Sequence, residues 1–230
     1  MSSYDERDVA AKTISCWCGE EFALLNYPAK WRQRFEGVND TTRLVLDFKE
    51  ADADAIKLIA SMMTRAAGEH LGRLRDTYGC GYVVAAPRSH AGQPNIGCEA
   101  VARSLASHYP FLVHLPGALR RVTTLAPSHS GADHSVDDHV RSICYAGPSL
   151  TAELASRSCP YCGKAFRSEA GFAWHLDHTE KRRAGATKAF LLIDDVTTHG
   201  STGEACRRVL KAATGAPRVI GFYVSRTNGC

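Results

Sequence analysis

Short apolar segments that alternate with helical patterns place the strongest constraint on the fold of this chain. The strand-like segments are TRLVLDF, YVVAAP, FLVHL, AFLLID and RVIGFYVSRT. YVVAAP is apolar on both faces, as a strand in the middle of a parallel sheet must be. Elsewhere apolar residues recur at helical spacing, for example at Ile56, Ile59 and Met63. Strand alternating with helix predicts an α/β fold with a parallel, Rossmann-like sheet.

The chain divides into parts that differ in pattern. Residues 1–42 contain aromatic residues but no clean period, which predicts a loop-rich N-terminal segment. Residues 43–150 and 188–230 carry the alternating pattern and form the predicted α/β domain. Residues 155–184 form a separate unit inserted between them. Residues 123–142 are rich in Ser, His and Asp, and we expect a mobile loop that leads into a short polar helix.

Composition places the chain among ordinary globular proteins. Hydrophobic residues make up 44% and charged residues 23%, which argues against disorder. No apolar run approaches the roughly 20 residues of a membrane span, and the acidic start is unlike a signal peptide. We therefore expect a soluble, cytoplasmic protein with no membrane partner. Nine cysteines in such a chain favour reduced thiols or a metal site over a disulfide framework.

Charge is distributed unevenly along the chain. Residues 1–150 carry 16 Lys and Arg against 17 Asp and Glu, whereas residues 151–230 carry 12 against 7. The net charge is therefore −1 in the first part and +5 in the second. A basic final third is compatible with binding to phosphates or nucleic acid.

Two adjacent acids, Asp194 and Asp195, end the apolar run of AFLLID. The loop that follows contains Thr198, His199 and the run from Gly200 to Thr202, before a helix that we expect near Glu204. A loop at a helix N-terminus offers backbone N–H groups and a favourable dipole to a phosphate. The carboxylates suit the hydroxyls of a sugar, or a magnesium ion beside the phosphate. The structural alternative is an acidic turn in which Ser201 or Thr202 caps the helix.

The string LLIDDVTTHGST resembles the phosphoribosyl-diphosphate signature of type I phosphoribosyltransferases: a run of apolar residues, two acids and a Thr- and Gly-containing loop. VLDFKEAD, YVVAAPRSHAGQPNIGCEAVARSLA and LRRVTTLAPSHSGADHSVDDHVRSI resemble the ComF-like branch of that superfamily. The resemblance covers roughly residues 43–150 and 188–227. Two departures stand out. His199 occupies a position where a small residue is usual, and Gln93 to Ile96 replace an Arg-Gly-Phe-Asn run.

The resemblance implies a phosphoribosyltransferase fold that binds phosphoribosyl diphosphate, or a related ribose-phosphate nucleotide, with magnesium. Asp194 and Asp195 would hold the ribose hydroxyls and the metal as the catalytic pair. Thr198, His199, Gly200, Ser201 and Thr202 would bind the 5′-phosphate. Arg88 would contact the pyrophosphate.

The same resemblance leaves two functions open. In the first, a nitrogen nucleophile receives the phosphoribosyl group, while the loop near 123–142 closes over the site. In the second, the domain is a catalytically degenerate nucleotide sensor. It would then act as an accessory effector in a nucleic-acid complex, for example in retron-type antiphage defence, linked to a reverse transcriptase, or in DNA uptake.

The inserted unit has the ligand spacing of a two-Cys, two-His zinc finger of the ββα type. Two residues separate Cys159 from Cys162, and twelve residues separate Cys162 from His175. His178 follows His175 after two more, and Phe166 and Phe172 take the positions of a small core. Two thiolates and two imidazoles can surround zinc tetrahedrally, and a unit this short needs the metal to fold. Two residues between the histidines is fewer than usual, although His175 and His178 still share a helix face.

The finger is expected to dock on nucleic acid or on a protein partner. Its helix positions that would face bases carry Ser168, Ala170, Gly171 and Trp174. None of these is an Arg, Asn or Gln suited to paired base contacts, so we do not expect sequence-specific DNA reading. Lys164, Arg167 and the basic run 181–183 suit non-specific phosphate contacts. The alternative is a folded clip that carries a loop over the sheet.

Overall fold

A computed structural model describes residues 13–18, 21–26, 40–78, 81–125, 134–147, 189–197, 200–216 and 218–227. The predicted finger, residues 155–184, lies outside the described residues, as do Thr198 and His199. The predictions made for them therefore remain predictions.

The described residues form strands and helices that alternate through most of the chain. In chain order they are β1 (Thr13–Cys18), β2 (Glu21–Asn26), α1 (Asp40–Lys49), α2 (Ala53–Tyr78), β3 (Gly81–Ala85), α3 (Ile96–His108), β4 (Leu112–His114), β5 (Leu119–Arg121), α4 (Val136–Ser142), β6 (Ile143–Tyr145), β7 (Ala189–Thr197), α5 (Ser201–Thr214) and β8 (Arg218–Arg226). No helix in the described ranges is both long and apolar enough to span a bilayer.

The main sheet is largely parallel, as the alternating pattern predicted. Its strand order is β1-β2-β8-β7-β3-β4. The five strands from β2 to β4 in this order are parallel to their neighbours, and β1 is antiparallel to β2. A second, two-stranded sheet pairs β5 with β6. The prediction of an α/β protein with a Rossmann-like parallel sheet is thus confirmed.

Two hydrophobic cores cover the two faces of this sheet. Leu191 and Ile193 of β7 pack into the core that contains α1, α2 and α3. Phe190 and Leu192 pack into the other core, with α5 and the two-stranded β5–β6 sheet. These four side chains are fully buried, because successive residues of a central strand point to opposite covered faces. The rigid three-layer arrangement holds the end of β7 in place.

The prediction of a strand at TRLVLDF was wrong, since these residues lie in α1. Leu44, Val45 and Phe48 are buried while Arg43 and Leu46 are exposed. This spacing puts the buried side chains on one helical face, whereas a strand would alternate them. Because apolar residues also occupy exposed positions of this run, the helical spacing of its buried residues was not evident from the sequence.

The prediction of a loop-rich segment at 1–42 was wrong for the two strands it contains. β2 pairs in parallel with β8, and Phe22, Leu24 and Leu25 are buried. A strand covered on both faces loses the alternation that identifies a half-exposed strand. The sequence therefore showed no clean period there.

Candidate functional site

The order of the sheet opens a crevice between the adjacent strands β3 and β7. From β3 the chain passes through α3 to β4 on one side, while from β7 it passes through α5 to β8 on the other. Ligands of open α/β sheets bind where connections diverge in this way, beyond the carboxyl ends of the strands. The N–H of Ala86 donates to the carbonyl of Ile193 at 2.8 Å. The loop after β3 and the acid pair after Ile193 therefore start side by side.

Asp194 lies at the floor of this crevice. Its exposed fraction is only 6%, and its Oδ1 accepts the N–H of Asp195 at 2.9 Å. Burial, reinforced by the negative charge of Asp195, raises the pKa of Asp194 to about 8 from its ordinary 3.8. Asp194 is therefore protonated at neutral pH unless a cation binds beside it.

Asp195 is more accessible than Asp194 and lies near a cation. Its Oδ1 accepts the N–H of Val196 at 2.6 Å, and its Oδ2 lies 3.9 Å from Nζ of Lys49. Lys49 is the last residue of α1, so this cation reaches Asp195 from a part of the chain that is distant in sequence. The carboxylate of Asp195 therefore has a counter-charge in the free protein.

A second cation, Arg121, is buried close to the acid pair. Its exposed fraction is 4%. Its Nε donates to the carbonyl of Arg88 at 2.7 Å, and its Nη1 donates to Oγ of Ser142 at 2.5 Å. Burial lowers the pKa of Arg121, an effect that the negative charge of Asp194 opposes. The crevice thus combines two acids with cations on both sides.

Two buried thiols line the acid pair without contributing a nucleophile. Cys98 lies in the first turn of α3, and Cys206 lies in α5. Burial is the largest cause that raises the pKa of each thiol, and the charge of Asp194 adds to it. Since the thiolate is the reactive form, both residues act as small apolar packing groups.

The helix after the acid pair begins in a way that leaves its N-terminus open to an anion. Gly200, with φ 74°, is the N-cap of α5 and provides no side-chain hydrogen bond. Neither Ser201 nor Thr202 is the capping residue that the structural alternative required. First-turn N–H groups lack partners within a helix, and an anion can satisfy them.

The loop after β3 is tied to the segment that follows β5. The N–H of Ala91 donates to Oγ1 of Thr124 at 2.9 Å, and the N–H of Leu125 donates to the carbonyl of Ser89 at 3.1 Å. Arg88 precedes these contacts and is half-buried, and no ion pair with another described residue involves its guanidinium. Arg88 can therefore meet an anion at the crevice edge.

The structure brings all six of the predicted site residues that it describes to one edge of the sheet. These are Arg88, Asp194, Asp195, Gly200, Ser201 and Thr202. Thr198 and His199 lie outside the described residues, as do the proposed zinc ligands Cys159, Cys162, His175 and His178.

Sequence reasoning missed Lys49 and Arg121. Lys49 was overlooked because α1 was read as a strand. Arg121 follows Arg120 on β5, and one of the two is buried while the other is exposed. The sequence held no sign of which would face inward.

The two carboxylates suit magnesium better than a metal that needs a complete protein cage. Among the described residues no group of three or more His, Cys, Asp or Glu side chains is arranged around a possible ion. Magnesium commonly takes one or two carboxylates and completes its shell with water and substrate phosphates. Asp194 and Asp195 fit that requirement once Asp194 has lost its proton.

Comparison with known proteins adds no further assignment. No protein-family model matches this chain, and a search of curated proteins finds no match. The chemistry of the crevice is therefore the basis for a functional proposal.

Proposed function

We propose that this protein is a phosphoribosyltransferase with the phosphoribosyltransferase fold, which binds phosphoribosyl diphosphate with magnesium between β3 and β7. The observation that carries the proposal is the position of Asp194 and Asp195. They follow the last residue of β7 that pairs with β3, at the diverging point of the sheet, and the next helix in the chain has an N-cap that makes no side-chain hydrogen bond. A sugar that carries both a phosphate and vicinal hydroxyls matches these two neighbouring features.

The 5′-phosphate of the ligand would lie at the start of α5. Backbone N–H groups of Ser201 and Thr202 and the helix dipole favour an anion there. The left-handed conformation of Gly200 directs the chain from β7 into the helix. Thr198 and His199 belong to the same loop by sequence and would add donors to the phosphate.

The acid pair would orient the ribose. The carboxylate of Asp195 can accept hydrogen bonds from vicinal hydroxyls, and Asp194 can donate or accept according to its protonation state. Magnesium, when bound with the substrate, would neutralise charge that develops on the leaving diphosphate. Arg88, at the carboxyl end of β3, would contact the same diphosphate from the other side of the crevice.

The proposed reaction exchanges one bond at C1 of the ribose for another. The bond between C1 and the diphosphate oxygen breaks, and the leaving diphosphate keeps the electron pair. The sugar acquires oxocarbenium character, and the lone pair of a nitrogen nucleophile forms the new bond to C1. Exclusion of water by the segment near 123–142 would prevent hydrolysis. The nitrogen nucleophile then loses its proton to solvent or to a nearby base.

A nucleotide-binding module without turnover is the second candidate function. The contact between Lys49 and Asp195 favours it, because a resident cation neutralises the acid that a catalytic metal requires. In that case the predicted finger, with zinc on Cys159, Cys162, His175 and His178, would dock the module on nucleic acid or a protein complex.

Calorimetric titration of the full chain with phosphoribosyl diphosphate and magnesium tests the proposal. Saturable binding is expected, and the double variant Asp194→Asn with Asp195→Asn should lose it. Asp54→Asn, an exposed acid in the first turn of α2, is the control and should bind normally. Release of pyrophosphate with a nitrogenous acceptor would support the transferase, whereas saturable binding without release would favour the second candidate. Absence of binding by the intact protein would refute both.

A further inference from the structure

The side chain of Arg121 joins three segments that are distant in sequence. Besides its bond to the Arg88 carbonyl, it donates to the hydroxyl of Ser142 at the end of α4. That hydroxyl in turn donates to the carbonyl of His139 at 2.8 Å. One guanidinium therefore connects β5, the loop after β3 and helix α4.

Backbone hydrogen bonds around Arg121 join the same three segments. The N–H of Gly92 donates to the carbonyl of Arg121 at 3.2 Å, and the N–H of Val122 donates to the carbonyl of Ser142 at 2.8 Å. Both the side chain and the main chain of Arg121 thus hold the loop that contains Arg88. Loss of the side chain would leave the loop held by these backbone contacts and by the bond from Ala91 to Thr124.

The guanidinium is buried without a carboxylate in contact. No Asp or Glu among the described residues forms an ion pair with Arg121. A buried cation is costly unless hydrogen bonds compensate for lost water. Its planar set of donors can reach the Arg88 carbonyl and Ser142 at once, which a single ammonium cannot reproduce. This arrangement fits a residue that sets the geometry of its neighbours.

His139 adds a pH-sensitive element to the same junction. Its Nδ1 lies 3.5 Å from Nη1 of Arg121, so this nitrogen must be unprotonated to accept. His134 packs edge-on against His139, with ring centroids 6.0 Å apart, and Asp138 precedes it on α4. From α5, Arg208 approaches α4 through an ion pair with Asp137 at 3.2 Å and also pairs with Glu204.

The net effect of burial and of the neighbouring charges is to disfavour a positive charge on His139. Burial is the largest cause that lowers the pKa of His139 from 6.5. Arg121 and His134 lower it further, and Asp138 partly offsets them. Protonation would place an imidazolium against the guanidinium and remove the acceptor.

We propose that Arg121 is a positioning residue that fixes the Arg88 loop against α4 for anion binding, and that protonation of His139 weakens this link. The identity of the anion rests on the proposed function, whereas the mechanical link is a property of the fold. Anion affinity therefore falls in mild acid through loss of loop order.

Hydrogen exchange tests the link without any ligand. In Arg121→Met and in Arg121→Lys, the amides of Ala91, Gly92 and Leu125 should exchange about tenfold faster or more. The amides of β7 should keep their protection. Arg120→Met, which alters the exposed neighbour, is the matched control and should leave all of these amides unchanged. Unchanged protection at the loop, or equal acceleration throughout β7, would overturn the proposal.

The pH dependence is tested by titration with inorganic pyrophosphate and magnesium at about pH 7.5 and about pH 5.5. The glutamine of His139→Gln cannot titrate, so this variant is the reference. Pyrophosphate changes its own protonation equally for both proteins, and the difference between them therefore reports on His139. The intact protein should lose at least about threefold more affinity than His139→Gln between these pH values. Equal losses would contradict the role of His139.

A protein that binds no pyrophosphate would count against the proposed diphosphate site and would leave the link through Arg121 to be tested without ligand. Exchange at Ala91 and Gly92 at the two pH values would then decide the present inference. The intact protein should lose more loop protection in acid than His139→Gln, and equal losses would overturn it.

Discussion

The ammonium of Lys49 and the carboxylate of Asp195 face each other across the crevice at 3.9 Å. Lys49 is the last residue of α1 and Asp195 lies in β7, so the two come from chain segments that the sequence separates widely. An ion pair of this kind places a protein cation where the proposed magnesium would bind. The two cations therefore compete for Asp195.

Replacement of Lys49 by Met should strengthen binding of a free divalent cation. We expect a gain of about two- to fivefold, because partly exposed ion pairs are worth at most about 1 kcal/mol. Manganese binding followed by electron paramagnetic resonance measures the change. Lys57→Met, at an exposed position of α2, is the control. Weaker manganese binding in Lys49→Met would show that Lys49 assists the site.

Asp194→Asn should stabilise the protein, and the gain should grow with pH. The pKa of Asp194 is raised to about 8 in the folded protein from 3.8, so the folded state retains a proton that the unfolded chain has lost. Stability therefore falls as pH rises from about 4 through about 8. Asn removes this penalty, by about 1.4 kcal/mol for each pKa unit involved.

Urea unfolding at about pH 5 and about pH 8.5 measures the effect. The difference between Asp194→Asn and the intact protein should be small at the lower pH and larger at the higher one. A difference that is independent of pH would mean that Asp194 is ionised in the folded protein.

Gly203→Ala should destabilise the protein through Tyr223. A methyl group at Gly203 would overlap the hydroxyl oxygen of Tyr223, which is buried beneath α5 and lies 3.4 Å from both Arg207 and Glu21. Overpacking of this kind costs about 1–3 kcal/mol. Thermal and urea unfolding provide the measurement.

Removal of the clashing oxygen should rescue the variant. Gly203→Ala combined with Tyr223→Phe should be less destabilised than the sum of the two single changes. Gly72→Ala is a suitable control, since a methyl group there meets no atom within 4 Å. It lies within α2 and should add about 0.5–1 kcal/mol of stability. Strict additivity in the double variant would contradict the predicted clash.

The predicted finger should hold one zinc ion per chain. Elemental analysis of the purified protein should find stoichiometric zinc, and Cys159→Ser should lose it because the thiolates bind the metal. The core residues of α1–α3 and β3 that the structure describes pack against one another, so we expect urea unfolding of the α/β domain to be unaffected. Full zinc content in Cys159→Ser would refute the proposed ligand set.

Local pattern was sufficient for β3, β7, β8 and α5, because each combines a buried apolar run with clear boundary residues. Gly215 ends α5 in the left-handed conformation, which is a common role of glycine after a helix. Pattern failed for α1 and β2, whose runs of apolar residues fit helix or strand equally well. Only packing against α2 or pairing with β8 distinguishes the two structures.

The sequence by itself determined the type of fold and the position of the acid pair. Both depend on neighbouring residues: apolar runs that alternate with helical patterns define the fold class, and the two acids follow directly on the apolar run 190–193. Only the tertiary structure decided that β7 lies beside β3, and that Lys49 and Arg121 reach the same crevice. It also decided that the pKa of Asp194 is raised. Charge and desolvation act through space, so the environment of Asp194 is set by residues that no local pattern connects to it.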